Sequence, residues 1–166
     1  MLNPTDEALG RGRGGFSTKV HLACDGRGRP LSVLVTGGQC NEAPQLEAVL
    51  DGVRVARPAG TPGRPRKRPH RLLADRAYAH DSCRALLRRR GIPHAIPERR
   101  DQKERRRKRG GRPPSFDAEA YRGRNVVERC VNRLKQWRAV ATRYEKRAAN
   151  YRAVVVIASL MIWLTA

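Results

Sequence analysis

The residues best suited to chemistry lie between Tyr121 and Lys135, in Tyr-Arg-Gly-Arg-Asn-Val-Val-Glu-Arg-Cys-Val-Asn-Arg-Leu-Lys. The stretch has no proline, and its apolar residues recur three and four apart, which predicts a helix. At about 100° per residue, Val126, Val127, Cys130, Val131, Leu134 and Trp137 share one face, expected to pack on a core. Tyr121, Arg124, Glu128 and Lys135 fall on a separate stripe roughly 60° wide and about 21 Å long. One carboxylate among cations and a phenol suits a polyanion: the carboxylate can hold a divalent metal, and the others can hold phosphates. Composition alone favours a plainer reading, a basic amphipathic surface helix that carries one glutamate.

A second carboxylate is placed by pattern. Arg71-Leu72-Leu73-Ala74-Asp75 reads as a short buried strand ending in an acid, and ligand sites of open α/β sheets lie at such carboxyl ends. The alternative is a cap or turn carboxylate. A helix is expected to follow over about 79–90, with Cys83, Leu86 and Leu87 on one side, then a short strand near His94.

The elements that must position these acids can be read in order. Residues 1–15 are polar and glycine-rich and predict a flexible basic lead-in, in which Arg11 and Arg13 could touch phosphate. Gly10, Gly12 and Gly15 fit Gly-x-Gly-x-x-Gly by chance, because no strand precedes them and no helix follows. Phe16 to Cys24 alternates apolar and polar, and Leu31 to Val35 returns after the turn Asp25-Gly26-Arg27-Gly28, which together predict a hairpin. His21 is read as a strand-face histidine and Asp25 as a turn residue. Asn41 is expected to cap a helix over about 42–53, with Leu46, Val49, Leu50 and Val53 inward. Residues 54–70 are rich in proline, glycine and arginine and predict a surface loop or mobile linker. Residues 98–115 hold nine Lys or Arg against three acids and are expected to be disordered without a partner. The last helix, about 148–164, is almost wholly apolar from Val154 and is expected to be buried.

Composition narrows the partner. The chain has 166 residues and a net charge of +21, enough for one domain and strongly suggestive of nucleic acid. The four cysteines show no Cys-x-x-Cys pair, so zinc spacing is absent and reduced thiols are expected. The apolar end, 153–166, is short for a membrane span, and no signal-peptide pattern opens the chain. The aromatics are two Phe, two Trp and four Tyr, several in core positions, which disfavours an RNA-binding protein that stacks bases.

Tyr121-x2-Arg124-x3-Glu128-x6-Lys135, the local run Arg124-Asn125-Val126-Val127-Glu128-Arg129, and Leu73-Ala74-Asp75-Arg76-Ala77-Tyr78 together resemble bacterial insertion-sequence transposases of the DDE type. The resemblance covers nearly the whole chain from about Leu9. It implies a ribonuclease-H-like three-layer α/β fold over 16–166, with basic loops at 54–70 and 98–115. It implies metal-dependent DNA strand cleavage and strand transfer on two Mg²⁺ ions (Mn²⁺ as substitute), with Asp75 and Glu128 as catalytic metal ligands. Tyr121, Arg124 and Lys135 are then DNA contacts. Arg143 extends the basic stripe, and Arg112 in Gly-Arg-Pro could enter a minor groove. The implied partners are transposon ends and target DNA, a second copy on DNA, and an upstream half of the transposase, in the cytoplasm at the nucleoid. The family's first strand, with its first catalytic aspartate, is expected upstream of Met1, so the fold is read as truncated there and this chain as inactive alone. The competing expectations are a non-catalytic basic fragment that competes for transposon ends, and an RNA-binding basic protein.

Overall fold

A computed structural model describes residues 7–12 and 14–165. The architecture is mixed α/β. Three antiparallel strands come first: β1 (Gly10–Gly12), β2 (Gly15–Cys24) and β3 (Pro30–Gly37), in spatial order β1-β2-β3. Their register pairs Gly10 with Ser17, and Val20 with Val35. The alternation along 16–24 and 31–35 therefore reports a true hairpin.

The hairpin turn is set by Asp25. Its Oδ1 accepts from the backbone N–H groups of Arg27 and Arg29, each at 2.9 Å, and its Oδ2 accepts from Arg29 Nε at 2.7 Å. Burial works to raise the Asp25 pKa, but these hydrogen bonds outweigh it and hold the carboxyl below its ordinary value. Gly28 closes the turn at φ +80°, where a side chain would be strained. A Cβ there would also sit 3.5 Å from Val126 Cγ1, so the turn lies directly against the helix that carries Glu128.

A 3-10 turn (Ala43–Gln45) leads into α1 (Leu46–Asp51). Leu46, Val49, Leu50 and Val53 are buried, as their spacing predicts. Asn41 does not cap this helix; a proline inside the 3-10 turn starts it, with no side-chain cap. Glu42 instead binds Lys19 of β2 at 2.8 Å. His21 is buried and shares a 2.7 Å hydrogen bond with Thr36.

The second sheet is a parallel pair, β4 (Leu72–Leu73) and β5 (His94–Ala95), connected through α2 (Asp81–Arg89). It is not hydrogen-bonded to the first sheet. Leu46 and Leu50 pack with Ala79, Cys83, Leu86, Leu87, Ile92 and Ile96 into one apolar cluster beneath it.

The C-terminal half is helical: α3 (Arg100–Arg109), α4 (Ala118–Arg122), α5 (Asn125–Lys135), α6 (Arg138–Ala141) and α7 (Ala148–Leu164). Cys130, Leu134, Val140, Tyr151, Val155 and Ile162 pack with Val35, against the apolar face of β2 and β3, into the other cluster. All four cysteines are free.

Five expectations are corrected. Residues 7–12 are not a loose lead-in: Gly10–Gly12 is a strand, Thr18 Oγ1 donates to Ala8 O at 2.7 Å, and Glu7 accepts from the Ala148 N–H at 2.9 Å. Asp6 and Arg13 lie outside the described residues. Residues 100–109 are a helix rather than disordered. Ion pairs one turn apart (Arg100–Glu104 at 3.1 Å, Asp101–Arg105 at 2.7 Å) offset the like-charge repulsion. Gln102 pins the helix by donating to Ala79 O at 2.7 Å. The stretch 121–135 is two helices, because Gly123 and Arg124 adopt tighter i→i+3 bonding between α4 and α5. Trp137 is 42% exposed, since α5 ends before it and its ring leaves the core face. Finally, α7 buries only one side; Ile157, Leu160 and Leu164 are exposed.

Candidate nucleic-acid and metal face

Asp75 sits where the pattern placed it, just past the carboxyl end of β4. Its side chain caps the following 3-10 turn (Arg76–Tyr78), accepting from the Ala77 N–H at 2.9 Å. The cap reading and the strand-end reading are therefore both true of this exposed residue. Its negative charge reaches Tyr78: burial first, then Asp75, pushes the phenol up to about 12.

Glu128 lies in the first turn of α5. Its carboxylate binds Arg124 Nη2 at 2.6 Å, one helical turn back. Arg124 in turn stands 5.6 Å from the Tyr121 ring, and the Phe116 ring packs against that ring with centroids 5.3 Å apart. The Glu128 hydrogen bond raises the Arg124 pKa, burial pulls against it, and Tyr121 and Asp75 add to the rise.

Two contacts bring this helical segment to β4. Arg71 Nη1 binds Asp117 Oδ2 at 2.6 Å, and Asp117 is also the N-cap of α4 through the Ala120 N–H. A Cβ on Gly123 would lie 3.5 Å from Leu73 Cδ1, so the break between α4 and α5 rests on the strand that leads to Asp75. Neither Asp117 nor Phe116 was singled out in the sequence. An aspartate just before Ala-Glu-Ala-Tyr is a readable cap signal, but its pairing with Arg71 is not.

The remaining residues of the stripe separate. Lys135 is exposed at the end of α5, and Arg112 is exposed in the segment between α3 and α4. Arg143 differs from the expected phosphate contact. Its guanidinium donates to Glu145 O, Ala8 O, Thr18 Oγ1 and Lys146 O, and stands 5.5 Å from the Tyr151 ring. It clamps residues 7–8, β2 and α7 together, and its side chain is only 11% exposed.

A basic mixed α/β domain with an aspartate at a strand end and a glutamate ion-paired to an arginine beside a tyrosine has the make-up of a protein that handles phosphodiesters. Residues 5–164 match the family described as Transposase DDE domain, and the chain belongs to that family. It is 32% identical over 164 residues to a protein assigned as transposase for insertion sequence element IS402 of Burkholderia cepacia, covering 98% of this chain and 68% of that protein. It is 28% identical over 153 residues to one assigned as transposase for insertion sequence element IS6501 of Brucella ovis, covering 90% of this chain and 99% of that one. No solved structure matches. Among the described residues, no helix is long and apolar enough to cross a membrane.

Proposed function

We propose that this chain provides the Asp75 and Glu128 ligands of a ribonuclease-H-like transposase centre that cuts and joins DNA at transposon ends. The observation that carries the reading is the 2.6 Å Arg124–Glu128 pair beside Tyr121, on a segment packed against the strand that leads to Asp75. Tyr121, Arg124, Lys135 and Arg112 take the phosphates of the bound strand, as guanidinium and ammonium groups do. Arg143 is left out of that set by its internal bonds.

The acids fit a hard divalent cation, since both offer oxygen and Mg²⁺ binds through one or two carboxylates while keeping several waters. Among the described residues no group of three His, Cys, Asp or Glu could hold a metal, so a further ligand has to come from elsewhere. When bound, such ions supply Lewis acidity at the phosphoryl group and stabilise the leaving oxygen. The chain's own residues hold the strand: Arg124 and Lys135 neutralise backbone charge, and Tyr121 orients it from the side of Phe116. A second copy, an upstream segment of the transposase and a nucleoid location belong to the same reading.

The 166-residue polypeptide alone is expected to bind DNA and not to cleave it. Two ligands cannot keep two ions in register for in-line attack, where a misplacement of about 1 Å costs roughly 100-fold. The assay is cleavage of element-end DNA with Mg²⁺ or Mn²⁺ by this chain and by a version extended upstream. Cleavage by the extended version that disappears with Asp75→Asn or Glu128→Gln supports the assignment; full activity in either variant would remove these residues from the site.

A further inference from the structure

The loop at 54–70 has no place in the face just described, yet it is built. Val55 and Arg66 form an antiparallel bridge with both hydrogen bonds made, at 2.9 and 2.8 Å. Arg57 Nε donates to Arg64 O at 3.2 Å, and Arg66 Nε donates to Arg68 O at 3.0 Å. Pro62, Pro65 and Pro69 fix φ along the same stretch. The result is a cleft of about 620 Å³ walled by Arg64, Arg66, Lys67 and Arg68.

Those four cations are unneutralised. The sequence holds no Asp or Glu between Asp51 and Asp75. Among the described residues, none of the four has a carboxylate within ion-pair distance, whereas Arg71, just beyond them, is paired with Asp117. Four like charges gathered on a tied-down loop repel one another, and a polyanion relieves that repulsion. Because the backbone is already ordered, binding loses less conformational entropy than it would on a free linker.

Position separates this cleft from the acidic residues. Its far wall is Gly91 and Pro93, and its near wall ends at His70. These residues precede β5 and β4, which run parallel, while Asp75 follows the opposite end of β4. Five extended residues from His70 to Asp75 span about 16 Å at ~3.3 Å each. We infer that the cleft binds the phosphodiester backbone of duplex DNA, as a contact additional to the residues beside Asp75 and Glu128. This inference rests on the DNA-binding reading above.

The test uses the 166-residue chain and duplexes of about 30 base pairs, each roughly 100 Å long. A variant with Arg64→Ala, Arg66→Ala, Lys67→Ala and Arg68→Ala is compared with the wild type and with Arg112→Ala/Lys135→Ala. Each phosphate contact contributes about −0.9 to the slope of log K against log salt, so the four-fold variant is expected to lose about 3 to 4 units of slope. Binding of the duplex by the four-fold variant is expected to survive at low salt. If the four-fold variant fails to fold, Arg64→Gln/Lys67→Gln leaves the loop's side-chain hydrogen bonds in place and should lose about half as much slope. An unchanged slope in a folded cleft variant, beside a steep wild type, overturns the inference and leaves the parent reading standing. A flat wild-type slope overturns both.

Discussion

Residues 54–70 and the helix α3 at 100–109 are the two most basic parts of the chain, and they dispose of their charge in opposite ways. In α3 three of the cations have an acid within reach. Arg100 binds Glu104, Arg105 binds Asp101, and Arg106 forms two 3.1 Å bonds with Glu98 just upstream. In the loop no acid exists to pair with, and order comes from backbone bonds and prolines. A count of lysines and arginines therefore overstates what one region can offer a ligand and describes the other correctly. Charge that already has an internal partner must be released before it can meet a phosphate.

The sharpest way to test this contrast uses a cation committed wholly to the protein. Arg143→Ala removes a clamp of four hydrogen bonds from an 11% exposed side chain. It is expected to cost about 2–4 kcal/mol in urea unfolding and to leave the DNA salt slope of the folded protein unchanged. A smaller slope would mean that Arg143 reaches DNA despite its internal bonds.

Glu98→Gln comes next. Glu98 is only 14% exposed and anchors α3 through Arg106. Losing the charge on that two-bond contact should cost about 1–2 kcal/mol. Amide exchange across 100–109 should accelerate while exchange across 54–70 stays as it was. Equal acceleration in both regions would show that they are one cooperative unit and dissolve the contrast.

Acid should separate the two regions without mutation. The hydrogen bond from Arg105 lowers the Asp101 pKa from 3.8. A lowered folded pKa contributes stability above the unfolded value that is lost as pH falls through the folded one. Because Asp101 is exposed the effect is small: exchange protection of α3 is expected to weaken slightly below about pH 4, whereas the Val55–Arg66 bridge, which has no carboxylate, keeps its protection. Nuclear magnetic resonance exchange measurements at pH 3 and pH 6 decide the point; parallel loss in both regions would count against it.

The smallest effect is expected from Asp101→Asn/Glu104→Gln. Unfolding should hardly change, since exposed pairs contribute little. The freed Arg100 and Arg105 should steepen the salt slope by up to about 2 units if α3 faces DNA. An unchanged slope would place α3 away from the nucleic acid.

The sequence was most legible where pattern and packing agree. The hairpin, the inward face of α1, the short strand before Asp75 and the Arg124–Glu128 alignment all followed from periodicity and spacing. The failures have physical causes. Residues 100–109 look too charged to order, but Asp101 and Glu104 each stand one helical turn from an arginine and Gln102 pins the helix to Ala79, which a net count conceals. Arg143 sits in the stripe by position, yet its fate depended on Ala8 and Thr18, more than a hundred residues away. Residues 148–164 read as fully buried because they are apolar, but helix α7 contacts β3, α5 and α6 on one side only. Arg71–Asp117 could not be foreseen, because 46 residues separate the partners.

The two acids of the candidate face are tethered by different kinds of donor. Asp75 is held by a neutral amide of its own turn, and Glu128 by a charged guanidinium. The amide freezes the Asp75 rotamer in the folded chain, so its ordering entropy is lost at folding and not at ligation. An arriving cation would have to compete with Arg124 for Glu128, whereas at Asp75 it meets a carboxylate already aimed. On the proposed reading Asp75 would engage a cation first, and Glu128 would follow once Arg124 turned toward a phosphate.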